Sequence, residues 1–353
     1  MSIPETKQII LNHCEKYPEI QPLDIFKLLY QSTFGCGHMV TSAEAAVDYI
    51  KKELTDTNTN SDVLDEKLDG SFSRVHLGYL EKGLNAETLG KLFYLSSFIK
   101  GDGKEALEER LNVALTLADE RKLPFSAQDF RTALVKWNND GCPAVHHSEK
   151  FRKYYKPAYR VISNDYVPFL PVLAKIDSML SQGKVRLAVE GGSASGKSTF
   201  GALLEKLYDC TLFHMDDFFL QPSQRTPERF SEIGGNVDRE RFLSEVLVPL
   251  SENKTVNYRR FDCSSQIILD GERVTPKLLT VTEGAYSMHP DLAGYYNLSV
   301  FLDVSENCQK ERILKRNTPE FAARFFNEWI PMEKRYFEET DIKNRCNITI
   351  SIV

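Results

Sequence analysis

Residues 189–200 read VEGGSASGKSTF, and within them Gly191, Gly196, Lys197 and Ser198 fit the pattern G-x-x-x-x-G-K-[ST]. Glycine at these points lets the backbone turn so that several N–H groups face one anion, and a helix starting after the loop adds the positive end of its dipole. Lys197 supplies a point charge to terminal phosphates, and the Ser198 hydroxyl is a ligand type for Mg²⁺. The pattern follows the strand candidate VRLAVE and precedes the helix candidate STFGALLEKLY, which is the context it requires. The run Gly191, Gly192, Ser193, Ala194, Ser195, Gly196, Lys197, Ser198, Thr199 is therefore the expected cradle for the phosphates of a nucleotide such as ATP.

A second set of residues could use what the loop holds. Asp216 and Asp217 stand just after the apolar run CTLF, and in an open α/β sheet the carboxyl ends of neighbouring strands gather where ligands bind. A carboxylate there can take the proton of an attacking hydroxyl, or hold Mg²⁺ directly or through water. Left by itself, the pair also reads as a solvated acidic turn.

Further along come GGNVDRERF (234–242), YRRFDCSS (258–265), LLTVTEGAYSMHP (278–290) and VFLDVSENCQKERILKRN (300–317). With these, about residues 185–350 resemble the uridine kinase and phosphoribulokinase superfamily. The resemblance implies an α/β P-loop kinase fold that uses ATP and Mg²⁺, with a small-molecule hydroxyl as acceptor. By the same resemblance Asp216 is the catalytic base, Asn236 and Asp238 form the N-x-D element at the substrate hydroxyls, and Tyr258 lies on the substrate side, while Asp217, the second acid of the pair, is a candidate to bind the substrate. Glu283 joins Ser198 and Asp216 around the metal, and Arg312 and Arg316, with Arg324 as a further candidate, approach the transferring phosphate. Four-residue spacing places Arg312 and Arg316 on one helix face. Where uridine kinases carry a histidine after the tyrosine, this chain has Arg259, Arg260, Asp262 and Cys263, so the acceptor stays open among nucleoside-, sugar- and vitamin-like molecules. The insertion LQPSQRTPERFSEIGG contributes Arg225 and Arg229, which read either as a clamp on an acceptor carboxylate or phosphate or as charges of a solvated loop.

The elements that position these residues change character along the chain. Before the boundary, placed near residue 165, the segments ETKQIILNHCEKY, PLDIFKLLYQSTF, AEAAVDYIKKEL, NAETLGKLFYLSSFI, KEALEERLNVALTLADERK and SAQDFRTALVKWNND space their apolar residues by three and four. Residues 1–165 are thus expected to form a mainly α-helical domain, with a loop at TDTNTNSD (55–62). Residues 166–353 alternate helical segments with the short apolar runs VRLAVE, CTLFHM, LLTVTE, NLSVFLDV and NITISIV, as buried parallel strands do. An α/β domain of about five strands follows from that alternation. The helix expected within DYVPFLPVLAKIDSMLSQGK belongs to either side.

Composition sets the remaining bounds. Hydrophobic residues at 42% and charged residues at 27% suit a water-soluble chain without a membrane span, and the polar N-terminus is unlike a secretory signal, so a cytoplasmic location is expected. Seven scattered cysteines without a C-x-x-C pair argue against a disulfide framework. The formal charge of −6 gives no general attraction to nucleic acid, although Lys150, Arg152, Lys153, Lys156 and Arg160 alternate with Tyr154, Tyr155 and Tyr159. That stretch reads as a nucleic-acid contact, a solvated helix face, a packed hinge or a contact to an acceptor phosphate, the last three being the simpler readings. Cys36, His38, Cys142, His146 and His147 are zinc-ligand types without a standard finger spacing, and His76 reads as an ordinary core or surface histidine. A homo-oligomer is compatible with all of this. The competing function is a nucleotide-dependent regulatory ATPase whose first domain binds protein or RNA, and a further alternative is a separate enzyme fused to the kinase.

Overall fold

The computed structural model describes residues 3–37, 39–56, 63–68 and 70–352. The chain divides into two compact units, Met1–Ala174 and Lys175–Val353, with the division inside the helix Leu170–Leu180.

In the first unit the periodic segments form the helices Ile3–Lys16, Pro22–Phe34, Ala43–Asp56, Ala86–Ser96, Lys104–Asp119 and Ala127–Asn139. Their apolar faces meet in a core that includes Ile10, Phe26, Leu28, Leu92, Leu117 and Phe130, with Phe26 stacked on Trp137 at 4.8 Å between ring centres. Asn85 and Ser126 cap two of these helices by accepting from backbone N–H groups of the first turn. Of the expected loop 55–62, Thr55 and Asp56 close the helix Ala43–Asp56, and 57–62 lie outside the described residues.

The mainly helical first unit also holds a small antiparallel sheet, in the order β1 (Asp65–Lys67), β2 (Phe72–His76), β3 (Tyr159–Ser163). β2 reads FSRVH and is buried at every position, so no alternation of polar and apolar residues announces it. Its register sets Arg74 opposite Val161 and His76 opposite Tyr159.

The second unit is built on a five-stranded, wholly parallel sheet of β4 (Val185–Gly191), β5 (Cys210–His214), β6 (Leu279–Glu283), β7 (Leu298–Val304) and β8 (Ile348–Ile352). These are the five apolar runs of the sequence. The spatial order is β8-β7-β4-β6-β5, so the crossover from the central β4 to β5 runs in one direction and those to β6, β7 and β8 run in the other, which creates a switch point at the carboxyl end of β4. In register, Glu283 lies beside His214 on one side and Val189 on the other, while Gly191 pairs with Leu302. Short antiparallel pairs, Val256–Tyr258 with Glu272–Val274 and Phe261–Asp262 with Ile267–Ile268, interrupt the α/β alternation.

Two helices of this unit widen into π-turns at Leu243–Leu247 and Phe325–Trp329, and each is followed by a proline two residues later, Pro249 and Pro331. Proline lacks the N–H that would continue the ladder and its ring crowds the preceding turn, so the helix accommodates it by opening the turn before it.

Candidate active site

The loop after β4 takes its shape from two glycines. Gly191 stands at φ 149° and Gly196, which opens the helix Lys197–Leu207, at φ 100°. A Cβ on Gly191 would lie 2.7 Å from the Leu302 carbonyl oxygen and 2.8 Å from Ser195 Oγ, so only glycine fits. Between them Ala194 is itself left-handed at φ 59°. Its side chain packs with Ile313 and Ala322, and Phe325, Phe326 and Ile330 line the same cluster.

Protein groups hold this loop from several directions. Lys197 Nζ donates to the Gly192 carbonyl at 2.9 Å. Gln309 Nε2 donates to the Ser193 carbonyl at 2.7 Å and Arg312 Nη1 to the Ala194 carbonyl at 3.2 Å, both from the helix Glu306–Arg316. Glu333 accepts from the Ser193 N–H at 2.9 Å and from Ser193 Oγ at 2.7 Å. Burial pushes the Glu333 carboxyl up, against the pull of Lys197 and the Ser193 hydrogen bonds.

Beneath the loop Glu190 is wholly buried. Its carboxylate accepts from the backbone N–H groups of Gly191 (2.8 Å), Tyr286 (3.2 Å) and Met288 (3.0 Å) and from the Tyr336 hydroxyl (3.0 Å). Burial nevertheless pushes its carboxyl up to about 7. This one side chain ties the floor of the phosphate loop to the turn after β6 and to the helix Ile330–Thr340.

At the carboxyl ends of β5 and β6 the polar groups converge. Ser198 Oγ donates to Glu283 Oε1 at 3.1 Å, and His214 Nδ1 lies 2.6 Å from the same oxygen. The Glu283 hydrogen bond raises the basicity of His214 above that of a free imidazole. Asp216, in the turn Met215–Phe218, is open to water amid dense protein; that crowding pushes its carboxyl up, Glu283 adds to the effect, and Lys197, His214 and Arg316 oppose it. Asp217 is half-buried and shifted in the same direction by burial. The structure thus brings together Lys197, Ser198, Asp216 and Glu283, with the charge of Arg316 reaching Asp216.

Other expected site residues have internal partners. Asp238 caps the turn Arg239–Phe242 through the Arg241 N–H at 3.1 Å, accepts from Gln224 Nε2 at 2.9 Å, and faces Arg241 Nε at 3.5 Å. Arg229 is committed to Glu240 at 2.7 Å and to the carbonyls of Gly235 and Val237, so its insertion is neither an open clamp nor a solvated loop at that residue. Arg225 donates twice to the Leu220 carbonyl. Tyr258 is packed against Phe213 and Phe218 with its hydroxyl 3.4 Å from Glu272, and Asn236 is half-buried in the same unit. Arg324 pairs with Glu328, whereas Arg316 lies over the Phe325 ring at 5.4 Å.

Among its described residues the first unit groups no set of zinc ligands. Cys36 is buried with its thiol against the Phe93 carbonyl, Cys142 faces Asn138, and His147 lies 2.9 Å from Asp24 and 2.7 Å from Tyr159. His146 joins no cluster, His38 lies outside the described residues, and among the described residues no three His, Cys, Asp or Glu side chains are grouped to hold a metal. Within the basic and aromatic stretch, Lys150 pairs with Glu19 and Arg160 with Glu53. Among the described residues no helix is long and apolar enough to cross a membrane.

Sequence reasoning passed over Glu190, His214, Gln309 and Glu333. An acid ending an apolar buried run was the available signal for Glu190, and adjacency to Asp216 that for His214. Nothing local marks Glu333, which reaches the loop from 140 positions away.

Solved structures similar to this chain include one described as a possible uridine kinase from Bacillus stearothermophilus, at 18% identity and a TM-score of 0.37, covering 51% of this chain and 98% of that one. A candidate fructose transport system kinase from a Silicibacter species matches at 21% identity and 0.39, covering 47% and 89%. Shikimate kinase from Bacteroides thetaiotaomicron matches at 12% identity and 0.27, covering 47% and 86%. No protein-family model and no curated protein matches the chain.

Proposed function

We propose that the second unit is an ATP-dependent kinase that moves the γ-phosphoryl group to a hydroxyl of a small molecule. One observation carries the reading: Lys197, Ser198, Glu283 and a water-exposed Asp216 meet at the switch point beside a glycine-shaped loop. Loop N–H groups and Lys197 bind the nucleotide phosphates, and Arg316 with Arg312 stabilises charge on the transferring group. Asp216 takes the acceptor proton, a task suited to a carboxyl whose basicity the crowding has raised. Asp217 and Asn236 remain on the acceptor side, whereas Asp238, Tyr258, Arg225 and Arg229 shape that side through their internal bonds.

Ser198 Oγ, Glu283 and Asp216 are hard oxygen donors of the kind Mg²⁺ takes, and a magnesium ion that keeps waters and phosphate oxygens needs few of them. When bound, it would neutralise charge between the β- and γ-phosphates.

The test is phosphorylation of pooled nucleosides, sugars, vitamins and amino acids with Mg·ATP, read as a new product mass. Asp216→Asn should lower turnover by about 10²–10⁴-fold with ATP affinity largely retained. Undiminished turnover in that variant overturns the assignment of the base. Slow hydrolysis of ATP with no phosphorylated acceptor supports the regulatory ATPase instead.

A further inference from the structure

The first unit contains a cavity of about 360 Å³, lined by both charged and aromatic side chains. Arg74 forms part of its lining and is only 1% exposed. Its Nε donates to Gln31 Oε1 at 3.0 Å, its Nη1 lies 3.0 Å from His13 Nε2, and the guanidinium covers the Tyr159 ring at 4.7 Å. Nη2 has no hydrogen-bond partner among the described residues. His76 Nε2 and Glu66 Oε2, in the same lining, form no hydrogen bond but face each other at 3.6 Å, and Glu66 Oε2 also stands 3.8 Å from Arg74 Nη1, at ion-pair distance. Leaving a buried donor of a charged group unmet is costly, so Arg74 Nη2 marks a place where an acceptor atom of a ligand completes the bonding.

Charge selects the kind of ligand. Lys16, Arg74 and Lys156 line the cavity against the single carboxylate Glu66. Lys16 and the Tyr17 hydroxyl are both bonded to Glu66 Oε1, which leaves Arg74 Nη2 and Lys156 for an incoming group. Lys156 also sits at φ 41°, the left-handed position that ends the helix Glu149–Tyr155 and that glycine occupies without strain. Aromatic rings line it as well: Tyr17, Phe151 and Tyr155 pack with ring centres 4.8–5.0 Å apart.

We infer that this cavity is a second ligand site, for a small molecule carrying a phosphate or carboxylate group on an apolar, ring-like body. The anionic oxygens take the free arm of Arg74 and the Lys156 ammonium, and the body lies along Tyr17 and Tyr155.

Calorimetric titration of the full chain with phenyl phosphate and, separately, with benzoate tests this. Lys197→Ala is carried throughout so that the phosphate loop contributes little. At least one probe should bind; preference for phenyl phosphate assigns a phosphate ligand and preference for benzoate a carboxylate. Lys156→Gly, which suits the local backbone, should weaken binding by about tenfold, the effect of losing one charge-assisted hydrogen bond. Arg74→Met should abolish binding, provided its circular dichroism is native. Failure of both probes to bind, or equal binding by the folded Lys156→Gly protein, overturns the site and leaves a water-filled cavity.

Discussion

The phosphate loop and the cavity lined by Arg74 handle buried charge in different ways. Around the loop three buried charges have partners within the protein, Glu333 on Ser193, Glu190 on three backbone N–H groups and Tyr336, and Lys197 on a carbonyl, while the uncharged Ser195 Oγ has none. In the cavity Arg74 Nη2, His76 Nε2 and Glu66 Oε2 form no hydrogen bond, and Glu66 Oε2 has only the looser ion-pair contacts to His76 Nε2 at 3.6 Å and Arg74 Nη1 at 3.8 Å. The first arrangement holds a binding surface in shape before anything arrives, and the second stores unmet bonding capacity that an arriving molecule discharges.

The sharpest break of this contrast is Arg74→Met. Removing the guanidinium strands Glu66 in a buried place with less compensation, and loss of one partner from such a pair costs about 3–5 kcal/mol. Denaturant unfolding should show that loss; an unfolding midpoint close to that of the unaltered chain would mean the cluster is held by its surroundings rather than by charge.

A somewhat smaller effect, of opposite sign in the two units, should come from pH. Burial, partly offset by Asp24, holds His147 down at about 4, against 6.5 for a free imidazole. The unfolded chain therefore gains a proton first on acidification, and His147's contribution, complete above pH 6.5, is lost as pH falls towards 4. Glu190 runs the other way: burial raises it from 4.5 to about 7, so its contribution is complete below 4.5 and is lost as pH rises through 7. Displacements of this size correspond to about 3 kcal/mol each. Hydrogen-exchange protection, corrected for intrinsic rates, should fall in β2 and β3 and rise in β4 as pH is lowered from 6.5 to 4.5. Glu190→Gln should flatten the β4 response; parallel slopes in both units would sink the contrast.

The smallest effect expected is at the cavity rim. Lys156→Gly relieves a left-handed residue and should stabilise the chain by up to about 1 kcal/mol, visible as a higher urea midpoint. A lowered midpoint would show that Lys156 contributes to folding rather than to ligand capture.

The same contrast explains what could be read in advance. The loop is legible because eight consecutive residues carry its chemistry, and the five strands because parallel strands covered on both faces are unbroken apolar runs. The helices of the first unit are equally visible from their three- and four-residue spacing. By contrast, Lys16, Glu66, Arg74, His76 and Lys156 come from separate parts of the chain, and each by itself is an ordinary surface-type residue. β2, which carries two of them, hides serine, arginine and histidine inside a five-residue buried strand, so no periodic signal points to it. The roles of Asp238, Tyr258 and Arg229 were obscured for a related reason: residue type shows what a group can bond, not whether a neighbour has already engaged it.

Ala194 carries a mechanical consequence. Held at φ 59° and wedged against Ile313, Ala322 and the aromatic residues after them, it is the tooth by which the phosphate loop meshes with the segment 313–330. Because that contact is close-packed, a displacement of the segment cannot be absorbed there as slack. It must be passed on as a change in the direction of the neighbouring N–H groups, making the aim of those groups and the posture of the arginine-bearing helix two readings of one gear.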